Sequence, residues 1–432
     1  MRTSKVYFVG TPAEVGHHIG PVEKHLDVEI IDPADVLKVA SAGDVAMFFS
    51  EHFDRFRQSV IELKQKNVAT IYMIDGILEW RNAWENSTDE VACPYVMRPV
   101  LSHKVACIGE NQARVLNGWG NAEKTEIIGV PRFDRYVEHA SPQTMGKKAE
   151  RFRLLVMTAK TPAFTDDQWA TVRQSIADVK AYADQHSDSV EVIWRLTGGL
   201  DSEFGLEGSA SDLTGSQLCD QLNQVDAVIS TPSTAVVESM LAGKPTALLN
   251  YYDCPSYLNL AWTISHAKQL DSVVDQLKDP APRKMHFQDQ QLQQMLYRES
   301  SASERLIRLV RTMQEVAAEH VFKGIPLDFE PNLLPQPQLS PVTFNSQAMF
   351  PEAMEFAESN LNETQAQLAH ARRHADHLNR RIEQLESELK QAHQIFDEIH
   401  QHPIAGPIVR IRERVLTTLQ NVKRKTQTDN PS

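Results

Sequence analysis

Between Val225 and Asp253 the chain places two hydroxyl side chains and a carboxylate at spacings that suit a phosphorylated ligand. The order is strand, tight turn, helix, strand. Ala227–Ser230 is a short apolar run of the buried-strand kind. Thr231 is expected to cap a helix, with Pro232 at its first position, where a missing N–H costs nothing. Gly243 and Pro245 stop that helix, and Thr246–Leu249 makes the next strand. The free N–H groups of Ser233 and Thr234 then sit at the positive helix end, ready for an anion. Glu238 follows one turn after Thr234 on the same face. N–H groups for phosphate and a carboxylate for ribose hydroxyls suit a nucleotide. The bland alternative is a capped βαβ helix that carries a surface glutamate.

A second polar cluster, Asp75-Gly76-Ile77-Leu78-Glu79-Trp80-Arg81-Asn82, follows the apolar run Ala69–Ile74. It therefore lies at a strand's carboxyl end, the cleft side of an α/β sheet. Asp75 or Glu79 there can take a proton from an acceptor hydroxyl. Arg81 can meet an acidic acceptor or a phosphate. The alternative is that Asp75 caps a helix and Glu79 and Arg81 form a surface pair. Thr158 and Lys160, in Met157-Thr158-Ala159-Lys160-Thr161, follow a strand and can approach a diphosphate. Lys160 and Arg195 are the cations best suited to offset leaving-group charge, though either alone is an ordinary surface residue. His17 and His18 follow the first strand and can reach a cleft, but no third ligand is spaced to make a metal site.

Residues 1–137 alternate strand-like and helix-like stretches. Strands are expected at Lys5–Gly10, Val28–Asp32, Val45–Phe49, Ala69–Ile74, Lys104–Ile108 and Glu126–Gly129, with helices at Phe53–Gln65 and Asn111–Gly118 among them. Such alternation predicts a parallel α/β sheet. Residues 138–150 are polar and read as a linker. A second α/β series spans 151–322, with strands at Phe152–Met157, Val190–Leu196, Ala227–Ser230 and Thr246–Leu249 and a closing helix at Ser303–Ala318. Gly198–Gly215 reads as a loop beside a cleft. Two doubly wound halves place a ligand between the carboxyl ends of their strands.

Residues 323–351 are proline-rich and read as an extended linker. Over 352–401 apolar residues recur at alternating spacings of three and four, from Met354 and Ala357 to Phe396 and Ile399, which predicts a coiled coil and a homo-oligomer, a dimer favoured. Residues 402–432 form a basic amphipathic tail suited either to an anionic membrane surface or to an acidic protein face. The net charge of −13 argues against a general nucleic-acid binder. Cys93, Cys107, Cys219 and Cys254 lack metal-ligand spacing and read as reduced thiols. Neither a signal peptide nor a bilayer-spanning run is seen, so a cytoplasmic protein, peripheral to the membrane at most, is expected.

The Val225–Asp253 stretch resembles the nucleotide-sugar segment of GT-B glycosyltransferases and of the UDP-N-acetylglucosamine 2-epimerase superfamily. The resemblance implies a phosphate role for Ser233 and Thr234 at the Thr231 turn, and a ribose role for Glu238. Ile128-Gly129-Val130-Pro131-Arg132-Phe133-Asp134 resembles a Gly-x-Pro-Arg-x-Asp segment of CDP-glycerol glycerophosphotransferase-like proteins, and Ala106–Gln112 matches the same pattern. Together these cover about residues 1–320. They imply two Rossmann-like domains facing a cleft, and transfer of a sugar or related group from a nucleotide donor to a surface saccharide or lipid-linked acceptor. No cofactor beyond the donor substrate is implied, and the Asp-x-Asp metal motif of the other main glycosyltransferase fold is absent. Epimerases of the superfamily usually carry His-Arg where this chain has Ala159-Lys160. They also carry a His-x-x-Ala-Gly-x-Arg segment near Asp75–Arg81, whose His is missing here. Both departures count against epimerisation. A non-catalytic nucleotide-sugar scaffold is the reading from another class.

Overall fold

The computed structural model describes residues 4–74, 76–86, 96–134, 136, 151–208, 218–252, 254–337, 354–401, 407, 410–414, 416 and 417. Asp75, expected in the site, lies outside these residues, as do the expected linker 138–150 and most of the basic tail. The chain forms two compact units, residues 1–344 and 345–432.

The first unit contains two all-parallel sheets. β1 (Val6–Val9), β2 (Val28–Ile31), β3 (Val45–Phe48), β4 (Ala69–Met73), β5 (Lys104–Cys107) and β6 (Thr125–Ile127) lie in the order β2-β1-β3-β4-β5-β6. β1, β3, β4 and β5 are buried along their whole length, which is why β1 and β3 read as unbroken apolar runs rather than as alternation. β7 (Phe152–Met157), β8 (Val190–Arg195), β9 (Ala227–Ser230), β10 (Thr246–Leu249) and β11 (Trp262–Ile264) lie in the order β11-β10-β9-β7-β8. The expected strands are present to within a residue or two. β11 and the 20-residue helix Asp166–Gln185 were not anticipated.

In each sheet the strand order switches direction once, between β1 and β3 and between β7 and β9. Connections leave such a pair toward opposite sides of the sheet. A crevice therefore opens beyond the strands' carboxyl ends, where ligands bind in open α/β sheets.

The two halves share a core. Ile108, Val130 and Phe133 from the first half pack with Val236, Val237, Met240 and Leu292 from the second. The chain returns to the first half at Tyr297, whose N–H donates to the Ile108 carbonyl over 2.8 Å. The approach is tight: a Cβ on Gly109 would lie 2.4 Å from the Met295 carbonyl oxygen. The helix expected to close the second half, observed at Ala302–Lys323, packs instead on the first sheet. Its apolar face, Leu306, Leu309, Val310 and Met313, meets Val6, Phe8, Met47 and Ile71.

Residues 324–337 of the expected free linker are docked as well. The Leu333 N–H donates to Glu126 over 2.7 Å, and Lys104 Nζ donates to the Glu330 carbonyl over 2.7 Å. Lys104 and Glu126 are themselves a wholly buried ion pair 3.2 Å apart. The remainder of that linker, 338–351, lies outside the described residues.

In the second unit, Met354–Gln401 is a continuous 48-residue helix. Leu368, Leu378, Ile382, Leu385 and Leu389 are each about half exposed along it. No helix among the described residues is long and apolar enough to cross a membrane.

Candidate functional site

The two switch points open onto one cleft of about 980 Å³. From the first half come His17, beyond β1, His52, beyond β3, and Glu79, Asn82 and Asn86, beyond β4. From the second half come Thr158, Lys160 and Thr161, beyond β7, Arg195, which ends β8, Thr197, beyond it, and Ser233, Thr234 and Glu238, beyond β9.

A hydroxyl network fixes the ends of β7, β8 and β9. The Thr197 N–H donates to Thr158 Oγ1 over 2.9 Å, and Thr197 Oγ1 donates to the Ala159 carbonyl. The Ala159 N–H donates to Thr231 Oγ1 over 2.8 Å. This last bond changes the expected helix start. With its hydroxyl engaged by the turn after β7, Thr231 does not cap, and it sits buried behind the cleft wall rather than in it. The helix runs Thr234–Leu241 with Ser233 at the N-cap, extended at φ −160° and ψ 162°, and no side chain caps it. Its opening residues, Ser233, Thr234 and Ala235, all line the cleft. An uncapped helix start leaves N–H donors and positive potential for a ligand. Lys160 and Arg195 also line the cleft, and neither has an ion-pair partner among the described residues.

Glu238 is more engaged than expected. It is buried, and it accepts from Arg132 Nη1 over 3.1 Å and from Tyr136 Oη over 2.7 Å. Both donors come from the Ile128–Asp134 exit segment or just beyond it. A carboxylate offers about four lone-pair sites, so acceptor capacity remains toward the cleft.

The Glu79–Asn82 side differs more from expectation. Glu79 lines the cleft, but Arg81 does not. Arg81 is 1% exposed, pairs with Glu79, and donates from Nη1 to the Pro162 carbonyl over 2.7 Å. Its guanidinium lies 3.7 Å from the centre of the Tyr252 ring. Burial lowers its pKa from the ordinary arginine value. Arg81 therefore joins the two halves and positions Glu79, and it does not face an acceptor. His17 reaches the cleft. His18 is buried and stacks on Phe49, ring centres 4.2 Å apart.

Two contacts bring the halves together at the Ser233–Thr234 turn. The Ile77 N–H donates to Thr234 Oγ1 over 3.3 Å. A Cβ on Gly76 would lie 2.5 Å from that same oxygen, so only glycine allows this approach without moving Thr234.

His52 was not singled out from sequence. It follows β3 closely, and its Nδ1 is 3.0 Å from Tyr72 Oη. Burial lowers its pKa to about 4, so a neutral imidazole lines the cleft at pH 7. Its one sequence signal, a histidine just past a buried strand, becomes informative only once β3 is known to flank the switch point. Among the described residues no group of three or more His, Cys, Asp or Glu side chains is placed to hold a metal.

No family model matches the chain, and no curated protein matches it. Solved structures do. A histidine variant of the wall teichoic acid polymerase TagF superposes with a TM-score of 0.53 at 13% identity, over 74% of this chain and 91% of that one. The fold is GT-B-like. A second TagF structure, soaked with CDPG, gives 0.50 at 12% identity, over 73% and 90% of the two chains. The UDP-GlcNAc 2-epimerase of Methanocaldococcus jannaschii, in complex with UDP-GlcNAc and UDP, gives 0.48 at 11% identity, over 72% and 99%. Within the GT-B-like frame, the Thr158, Lys160, Arg195 and Ser233–Thr234 wall belongs to the carboxyl-terminal half, and Glu79, His17 and His52 belong to the amino-terminal half.

Proposed function

We propose that the cleft binds a nucleoside-diphosphate-activated donor on the carboxyl-terminal half and transfers its sugar, or a related group, to an acceptor hydroxyl. The observation that carries this reading is the uncapped helix start at Ser233–Thr234 beside Lys160 and Arg195, two cations without ion-pair partners among the described residues. TagF, whose fold the chain shares, was studied with CDPG, a nucleotide-bearing ligand of the same general kind.

In the proposed reaction the acceptor oxygen attacks the transferred group and the bond to the nucleotide phosphate breaks. Negative charge develops on the leaving phosphate. The helix N–H groups, Lys160 and Arg195 sit where they stabilise it without reorganising, which is how preorganised dipoles and cations lower such barriers. Thr158 orders the β7 turn that presents Lys160. Glu238 accepts from the ribose hydroxyls, held in place by Arg132 and Tyr136. Glu79 takes the acceptor proton, with Arg81 as its positioning residue. Asp75, four residues earlier, remains a second carboxylate candidate for that step. Protein groups supply the charge stabilisation in this scheme, and no metal is invoked.

The test is turnover with CDP-, UDP- and GDP-activated donors beside binding of the same donors. Glu79→Gln is expected to keep donor binding within about twofold and to lower kcat by 10²-fold or more. Full turnover in Glu79→Gln would remove it from the base role. Binding of a nucleotide donor without turnover on any acceptor would favour a non-catalytic nucleotide-sugar-binding scaffold.

A further inference from the structure

The long helix of the second unit carries a size pattern that selects one kind of partner. Its seam over the described side chains is Leu368, Ala371, Ala375, Leu378, Ile382, Leu385, Leu389 and Ala392, all exposed. Large and small residues are not scattered along it. Reflected about Arg380, each alanine falls on a leucine: Ala371 on Leu389, Ala375 on Leu385, and Ala392 on Leu368. Leu378 falls on Ile382.

We propose that Met354–Gln401 self-associates as an antiparallel two-helix coiled coil centred at Arg380, the partner being a second copy of this chain. In that register each outer layer combines one leucine and one alanine, and the central layers combine leucine with isoleucine. Interaxial distance follows the side chains at the contact, so evenly filled layers keep two helices at one spacing. A parallel, in-register pair would stack Ala371, Ala375 and Ala392 each on its own copy, beside leucine-on-leucine layers. An antiparallel pair shifted by one heptad would set Ala375 against Ala392.

The flanking charges agree with the central register. Arg372 meets Glu386 of the partner subunit, and His374 meets Glu388 of the partner subunit, each pair occurring twice by symmetry. The cost is one Arg381–Arg381 approach at the axis. Exposed pairs contribute ~0–1 kcal/mol each, so layer filling decides the orientation and the charges only support it. The interface is isologous, so it closes at two chains.

Sedimentation velocity on the full chain at micromolar concentration is expected to give a dimer. Leu385→Glu places a carboxylate against Ala375 of the partner subunit, in two layers at once, and is expected to give a monomer with unchanged melting of the first unit. Orientation is read by nitroxides coupled to a ketone-bearing residue at Ser387 or Gln394, which leaves the native cysteines untouched. At about 1.5 Å rise per residue, a site and its copy separate along an antiparallel axis by about 3 Å per residue from the centre. That is about 21 Å at Ser387 and about 42 Å at Gln394. Equal distances at the two sites would overturn the proposal. A monomeric wild type, a trimer, or a Leu385→Glu variant that stays dimeric would overturn it too.

Discussion

Replacing Glu126 by glutamine tests how the carboxyl-terminal segment is fastened to the first sheet. Glu126 and Lys104 are both 0% exposed and 3.2 Å apart. Lys104 Nζ also donates to the carbonyls of Glu123 and Glu330, over 3.1 and 2.7 Å. Glu126 accepts from the N–H groups of Leu333 and Leu334, over 2.7 and 3.3 Å, and from Gln336. A glutamine of the same shape keeps one acceptor oxygen. It presents an amide donor where a second acceptor is needed, and it leaves the lysine charge uncompensated. Breaking one partner of a buried ion pair costs about 3–5 kcal/mol. At roughly 2 °C per kcal/mol for a large domain, that is a loss of about 6–10 °C in melting temperature. Differential scanning fluorimetry reads it, with limited proteolysis in residues 324–337 as a second observable. A Glu126→Gln variant within about 1 °C of the parent would refute the reasoning, because a buried, fully satisfied pair cannot be broken so cheaply.

Other outcomes follow from the same contacts. Gly76→Ala should displace Thr234 Oγ1 and break its bond to the Ile77 N–H, weakening donor binding about tenfold in calorimetry while the fold survives. Gly109→Ala, pressed against the Met295 carbonyl, should instead lower the melting temperature by several degrees, since backbone cannot give way as a side chain does. Acid should weaken the fold early. Burial holds His52 at about 4, and burial with nearby Lys64 and Lys124 holds His103 at about 3, both below the ordinary value of 6.5. A depressed histidine pKa means the unfolded chain binds the extra proton first. The stabilisation is therefore complete above pH 6.5 and is lost as pH falls toward 4, with Glu51, raised by burial, acting in the opposite sense. Melting temperature against pH is expected to fall through that window, and His103→Gln should flatten the fall; a flat parent profile from pH 7 to 4.5 would contradict it.

The grouping of Ser233, Thr234 and Glu238 was readable from sequence because its determinants are local. A strand, the turn that presents Ser233 and Thr234, and a helix carboxylate at fixed spacing keep their relation whatever the strand order. Ser233, Thr234 and Glu238 accordingly lie together on the cleft. The Glu79 wall of the cleft depends on tertiary context. Nothing in the spacing of Glu79 and Arg81 says that the guanidinium turns into the Tyr252 ring and the Pro162 carbonyl from the other half. The place of Thr231 depends on tertiary context too: its hydroxyl partner, the Ala159 N–H, comes from the turn after β7, 72 residues away. His52 depended on knowing which strands flank the switch point. The helix Asp166–Gln185 lacks a clear apolar period because Gln168 and Ser175 interrupt its buried face. The helix Ala302–Lys323 was recognised, but its apolar face alone could not tell which of two sheets it covers.

Donor binding is the property on which the functional reading stands. Isothermal titration of the full chain with CDP, UDP and GDP, each against Lys160→Ala/Arg195→Ala, tests it directly. One of the three nucleotides is expected to bind at micromolar affinity, and the double variant is expected to lose at least 100-fold of it while keeping the parent's melting temperature. If none of the three binds the intact chain, or if the double variant binds as the parent does, the cleft does not hold an activated nucleotide in the way proposed.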